Sequence, residues 1–417
     1  MDSGRRFRGV QRIGDVTREE EAGIAGWLVD FGLESDNEAG LLGGFCDRLV
    51  GAGVPLLRVA TGVEAFHPTL DARGTLWSRG SAVRQEDYTR EEAEANEEEW
   101  RQSPFFRLVE TNATELRRRL GDNYEQGEFP LLDRFVRDHG MTDYLALAVS
   151  YGPGSTLGVV PGLVISYQTD RRGGFEDEEV ALLRRLTRPF ALAYKGIASV
   201  HTGRSLLATY LGGDPARRVL EGAIVRGRAE PVEAVLWYSD LQGFTRIADT
   251  APRDQVLELL NRYADCLVST IAPHGGEVLK FMGDGILAMF PLGEDSPCGR
   301  ALDAAEAALR HIDELNGRRQ SEGLPWTEIH LALHIGEVLY GNIGSRERLD
   351  FTVVGPAVNE VARIEAMCRS LDQRVVTSSA FAAAAGEARA RLVSLGRYAL
   401  RGVRRPEELF TIDPGAG

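Results

Sequence analysis

Cysteine is scarce. The four residues Cys46, Cys266, Cys298 and Cys368 are scattered over 417 positions with no CxxC pair. That spacing argues against a disulfide framework and against a zinc site, and fits free thiols in a reducing compartment. Long apolar runs are missing as well. Nowhere do eighteen apolar residues follow one another, and the N-terminal MDSGRRFRGVQRIGD has no apolar h-region. Neither a membrane span nor a secretory leader is expected, and the chain reads as soluble and cytoplasmic. Positive charge is in deficit, with 48 Lys and Arg against 62 Asp and Glu and a formal charge of -14. A protein held to nucleic acid by phosphate contacts needs the opposite balance. A small anionic substrate is not excluded, because a metal ion can bring the positive charge. Apolar residues are plentiful at 43%, enough for real cores, and the length suggests two or three domains.

The N-terminal half reads as one α+β domain, residues 19–198, after a polar and loose start. Ile24, Trp27, Leu28, Phe31, Leu41, Leu42, Phe45 and Leu49 recur with helical spacing. PLLRVATGV and GTLWSRG are short strands between turn residues, and EDYTREEAEANEEEW is a solvated helix face or loop. DYLALAVSYG and LGVVPGLVISYQTD are further strands. The helix in FEDEEVALLRRLTRPFALAYKGI carries acidic residues in its first turn, where they suit the dipole. The succession of hydrophobic strand, Gly-Gly-Phe turn with an acidic cap and long helix resembles GAF-type sensory domains. The resemblance implies a pocket for a small-molecule ligand or signal; a dimerisation scaffold without ligand is the alternative. Residues 199–231 follow as a short helix, a Gly-Gly-Asp-Pro break, a second helix and a polar linker. They form either a helical transducer or a passive connection.

From residue 232 to 413 the pattern is regular. AVLWYSDLQGF is a buried strand entering a turn at Asp240, and RDQVLELLNRYADCLVSTIAPHG is an amphipathic helix. LKFMGDGILAMF is a hairpin turning at Gly283-Asp284-Gly285. ALDAAEAALRHIDELN is a helix, EIHLALHIG and DFTVVG are strands, and PAVNEVARIEAMCRS is a helix with Pro356 in its first turn. RVVTSS, RYALRGV and ELFTI close the chain as strand pieces. The expected architecture is an α+β sandwich, one sheet with helices on one face. Asp240 ends a strand before a glycine turn and a helix start, whose free N–H groups suit phosphates. If its strand neighbours the hairpin, Asp240 and Asp284 converge at one sheet edge and suit magnesium shared with a nucleotide. Lys280, four residues before Asp284, is either its salt-bridge partner or a residue with a task of its own. Asn359 and Arg363 share a helix face and suit a ribose and a phosphate, or form an ordinary polar pair.

SDLQGFT, KFMGDG, ALHIGEVLYGNIG and FTVVGPAVNEVAR, in this order, resemble the catalytic domain of class III adenylate and guanylate cyclases. The resemblance implies a ferredoxin-like fold and a head-to-tail homodimer with two active sites at the interface, each built from both chains. It assigns Asp240, Asp284 and the backbone of Leu241 to metal, two magnesium ions per site with manganese as substitute. Gly243, Phe244 and Thr245 would lie against the triphosphate. Lys280 and Thr352 would read the purine, Asn359 would orient the ribose, and Arg363 would stabilise the transition state. Lysine at 280, where guanylate cyclases usually carry glutamate, implies ATP, since a lysine can donate to the adenine N1 acceptor. Threonine at 352 resembles the class IIIb subgroup. Asp350, two residues earlier on the same strand, is an alternative base reader. Arg401 stands where many members have a triphosphate-contacting lysine, and His330 where many have a phosphate-contacting arginine. The implied activity is formation of cyclic AMP and pyrophosphate from ATP. A guanylate cyclase and a non-catalytic nucleotide-binding module are the alternatives.

Overall fold

The run DYLALAV is apolar almost without alternation because its strand, Asp143–Ser150, is covered on both faces. Tyr144 and Ala146 turn toward Leu108, Leu132 and Phe135, while Leu145 and Leu147 turn toward Leu28, Phe45, Leu183 and Phe190. This strand belongs to the first of the two units, Met1–Leu206 and Leu207–Gly417, into which the computed structural model divides the chain. The structure describes residues 12–13, 16–121, 124, 126–152, 162–293, 296–402 and 405–413. The start of the chain, residues 1–11, and the LGVVP part of one expected strand lie outside the described residues.

The first unit is a six-stranded antiparallel sheet in the order Arg84–Thr89, Leu70–Ser78, Arg58–Glu64, Gly162–Thr169, Asp143–Ser150, Glu115–Arg119. Helices Arg18–Glu34, Glu38–Gly51 and Asp177–Leu211 cover one face, and Pro104–Thr111 and Pro130–His139 the other. This helix-flanked sheet is consistent with a GAF-like domain. The acidic segment splits into the end of a strand and two short helices, Arg90–Ala95 and Glu97–Arg101, that bury nothing. The helix Asp177–Leu211 runs 35 residues and absorbs the short helix expected after residue 200. It stops at Gly212, whose φ of 91° suits glycine.

In the second unit the strands are β1 (Ala229–Leu241), β2 (Glu277–Met282), β3 (Gly285–Pro291), β4 (Ile329–Gly344), β5 (Leu349–Val354), β6 (Val375–Ser378), β7 (Leu392–Tyr398) and β8 (Glu407–Ile412). They form one sheet in the order β2-β3-β1-β4-β6-β8-β7, with β5 paired to the far end of β4. β4 and β6 run parallel and the other pairs antiparallel. The helices are α1 (Gly213–Leu220), α2 (Phe244–Thr250), α3 (Arg253–Ile271), α4 (Pro297–Ser321), α5 (Pro356–Leu371) and α6 (Ser379–Ala384).

Helices cover both faces of this sheet, which corrects the expectation of one. Val235 and Trp237 of β1 pack with Leu259 and Tyr263 of α3 and Leu302 of α4. Ala234 and Leu236 pack with Val361, Ile364 and Cys368 of α5. The continuous run Ala234-Val235-Leu236-Trp237 already requires cover on two sides, since a half-exposed strand would alternate. The strand expected at RYALRGV falls earlier, at Leu392–Tyr398, which leaves Arg401 in the following turn.

Candidate active site

Asp240 stands one residue from the end of β1, directly opposite His330 of β4. β3 pairs with β1 on the other side, Ile286 facing Ser239, so the β2–β3 turn lies beside the end of β1. That turn is two residues long, Gly283 and Asp284, between paired Met282 and Gly285. Gly283 has φ 67°, the conformation a two-residue hairpin turn asks of its first residue. Gly285 has little room: a Cβ there would come within 3.2 Å of the Ser239 carbonyl oxygen. Pairing and turn together bring the Asp284 carboxylate to Asp240.

The electrostatics record this closeness. Burial, then a hydrogen bond and like charge from Asp284, push the Asp240 carboxyl up to about 6. A third carboxylate joins them. Glu365 of α5 is pushed up to about 7 by burial and by the charges of Asp240 and Asp284. His330 Nδ1 lies 3.8 Å from Glu365 Oε1, and burial holds its imidazole below the ordinary range. Among the described residues neither Asp240 nor Asp284 pairs with Lys, Arg or His, so two facing carboxylates are left without a counter-charge. A divalent cation fits that deficit. Among the described residues no three His, Cys, Asp or Glu side chains are arranged to hold a metal. Magnesium, which takes one or two carboxylates and fills its octahedron with water and substrate phosphates, is the ion this donor pair suits.

Leu241 ends β1 next to Asp240. Gly243 follows with φ 67° and caps α2 without a side-chain hydrogen bond, so Phe244 and Thr245 open the helix with no side chain bonded to its first-turn N–H groups. Lys280 lies on β2, exposed, and forms an ion pair with Asp350 of β5. The salt bridge within the hairpin, Lys280 to Asp284, is not made; the lysine has another partner. Thr352 sits two residues beyond Asp350 on β5, between buried Phe351 and Val353. Asn359 is exposed and Arg363 half-buried on α5. The Arg363 guanidinium lies so near Gly402 that a Cβ there would be 3.5 Å from Nη2, which places the Arg401 turn beside it.

On α5 the side chains separate into two directions. Residues 359 and 363 are a turn apart, but 363 and 365 differ by about 200° around the axis. With Glu365 facing Asp240 and Asp284, Asn359 and Arg363 point away from the carboxylates of their own chain. Glu365 escaped the sequence reading. Its signal was present, a carboxylate in the apolar stripe formed by Val361, Ile364 and Cys368.

Residues 228–414 match the family model of the adenylate and guanylate cyclase catalytic domain. An uncharacterised protein of Mycobacterium tuberculosis (strain CDC 1551 / Oshkosh) is 31% identical over 247 residues, 58% of this chain and 42% of the relative. Adenylate cyclase 1 of Rhizobium meliloti (strain 1021) is 28% identical over 179 residues, 42% of this chain and 27% of that enzyme. The chain thus spans less than half the length of these relatives. Among solved structures, the adenylyl cyclase CyaB from P. aeruginosa is 21% identical at a TM-score of 0.41, over 45% of this chain and 96% of that one. The guanylyl cyclase Cya2 is 29% identical at a TM-score of 0.40, over 46% of this chain and 98% of that one.

Proposed function

We propose that the chain is an adenylate cyclase acting as a homodimer, residues 228–414 matching the adenylate and guanylate cyclase catalytic domain. The observation that carries this reading is the uncompensated pair Asp240 and Asp284, standing beside a helix start whose cap makes no side-chain hydrogen bond. Asp240, Asp284 and the Leu241 carbonyl would hold magnesium. When bound, that metal lowers the pKa of the ribose 3′-hydroxyl and neutralises the triphosphate. The N–H groups of Phe244 and Thr245 bind phosphate oxygens, as helix starts do. Asn359 orients the ribose. Arg363, with Arg401 nearby, offsets the charge that develops on the α-phosphate as the 3′-oxygen bonds to phosphorus and pyrophosphate leaves. Positioning and charge stabilisation carry such a transfer.

Lys280 supports ATP. Its ammonium donates to the unprotonated N1 of adenine, whereas guanine presents a donor at that position. The direction of Arg363 supports the dimer, since an arginine turned from its own aspartates serves those of a second chain. An apolar surface that lacks a partner in one chain supports it too: Phe281, Met282, Leu339, Leu349 and Val354, all on β2, β4 and β5, are exposed. The N-terminal unit, residues 19–198, would regulate the cyclase by binding a small molecule, with residues 199–231 as transducer.

The test is a competition assay with equal ATP and GTP, magnesium present and the cyclic products identified by mass. Cyclic AMP in large excess is expected. Excess cyclic GMP overturns the base assignment, and no product from either nucleotide overturns catalysis.

A further inference from the structure

Two backbone features bring Lys280 to Asp350. The ladder between β2 and β3 skips a residue: Val278 pairs with Ala288 and Lys280 with Leu287, leaving Leu279 unpaired. Such a bulge re-aims the side chains that follow it. Leu279 turns inward, into the core that also holds Phe351 and Val353 of β5. Lys280 is exposed. On β5 the inward residues are Phe351 and Val353, so strand alternation puts Asp350 and Thr352 together on the other side. One outward surface therefore carries an ammonium, the carboxylate bonded to it, and a hydroxyl.

We propose that Asp350 is a positioning residue for base recognition: its carboxylate holds the Lys280 ammonium so that the remaining N–H donors are aimed at the purine. This rests on the reading of the site as one that binds a purine nucleotide through Lys280. A lysine ammonium has three donors on a flexible four-carbon stem. One donor is taken by Asp350, which leaves two for the base and its surroundings. The stem is also ordered before the nucleotide arrives, so that its ordering no longer weakens binding. Fold stability is a poor explanation for the pair, because both side chains are nearly half exposed, 44% and 47%, and exposed pairs contribute little. Asp350 works through Lys280 in this arrangement, and Thr352 remains the neighbouring group that meets the base.

The full chain is tested as wild type, Asp350→Ala, Asp350→Glu, Lys280→Ala and the double variant Lys280→Ala with Asp350→Ala. KM and kcat are measured separately for ATP and GTP. In parallel, the Kd of 3′-deoxy-ATP and 3′-deoxy-GTP, which lack the attacking hydroxyl, is measured by calorimetry. Asp350→Ala is expected to raise KM and Kd for the preferred nucleotide about tenfold, equivalent to about 1.4 kcal/mol, with the loss falling on KM more than on kcat. Asp350→Glu, which keeps a carboxylate, recovers most of it. In the Lys280→Ala background, removing Asp350 adds little, because the two residues act as a unit. Full additivity, unchanged KM and Kd, or tighter binding by Asp350→Ala each overturns the proposal. A wild type that prefers GTP sinks the ATP reading alone, since the coupling between 280 and 350 is still read on that nucleotide. A wild type that turns over neither sinks catalysis alone, since Kd still reports the coupling.

Discussion

Replacing Asp284 by Asn should abolish cyclase activity and, without metal, make the catalytic unit more stable. Asp240 has its carboxyl pushed from 3.8 up to about 6 by burial first and by Asp284 second. The folded state thus holds this proton more tightly than the unfolded chain. The stability conferred is complete below the ordinary carboxylate range and is lost as pH rises through about 6. The full shift corresponds to an upper bound of about 3 kcal/mol. Burial, the larger cause, persists in the variant, and solvent screens a half-buried pair, so the part due to Asp284 is about 1 kcal/mol. Asn suits the turn as well as Asp does. In EDTA at pH 7.5, Asp284→Asn should raise the melting temperature of the catalytic unit by roughly 2–4 °C. At pH 5 Asp240 is largely protonated, its repulsion by Asp284 is gone, and the gain should vanish. Magnesium should stabilise the wild type and not the variant. A lower melting temperature for Asp284→Asn at pH 7.5, or an equal rise at both pH values, would refute repulsion between the two carboxylates.

Arg363→Ala and Asp284→Asn, each nearly inactive alone, should complement when mixed. Random pairing makes half the dimers mixed, each with one intact site, so recovery of about a quarter of wild-type activity is expected; no recovery counts against shared sites. Glu365→Gln removes a carboxyl pushed from 4.5 up to about 7, whose stabilising contribution is lost as pH rises through that value. Its urea midpoint in EDTA should therefore fall less than that of wild type between pH 5 and 8, and a parallel fall would refute the assignment. Phe281→Ser combined with Met282→Ser takes apolar surface from β2, 56% and 38% exposed in one chain. Specific activity of this variant should drop at low protein concentration and recover at high, as a weakened dimer requires; activity that does not depend on concentration would argue against the interface.

Residues whose placement depends on local pattern were legible in the sequence. Asp240 sits at the end of an apolar strand and Asp284 in the glycine turn that opens another, and neighbouring strands did the rest. Asn359 and Arg363 needed only the helical repeat. Long-range placement was not legible. The bulge at Leu279 leaves no mark, because Val278 and Leu279 are both apolar and either fits a regular ladder. Without it the Lys280 side chain has no determined direction, and the nearest opposite charge in sequence, Asp284, looks like its partner. Asp350 is 70 residues away, and only β5 folding back against β2 brings it near. Glu365 was hidden for a related reason. A carboxylate in an apolar stripe can mean a helix edge or a buried site, and only the cover of α5 over the second face of the sheet decides.

Because α5 lies on the sheet face that Leu236 and Leu287 also use, it must present its stripe, and Glu365 with it, toward the ends of β1 and β3. Arg363 cannot turn to the same carboxylates without taking Val361 and Ile364, both fully buried, out of the core. Exposing two such side chains costs about 3–6 kcal/mol, a large part of the stability of an ordinary domain. The helix therefore separates the acidic cluster from the arginine by geometry rather than by distance along the chain. On the proposed cyclase reading, one half of a site lies on each side of α5, and a whole site would close only when a second copy supplies the other half. Lys280 and Asp284, four residues apart on one hairpin, would then serve two different nucleotides. A monomeric form of the chain should accordingly bind nucleotide weakly and turn none over, however intact its fold.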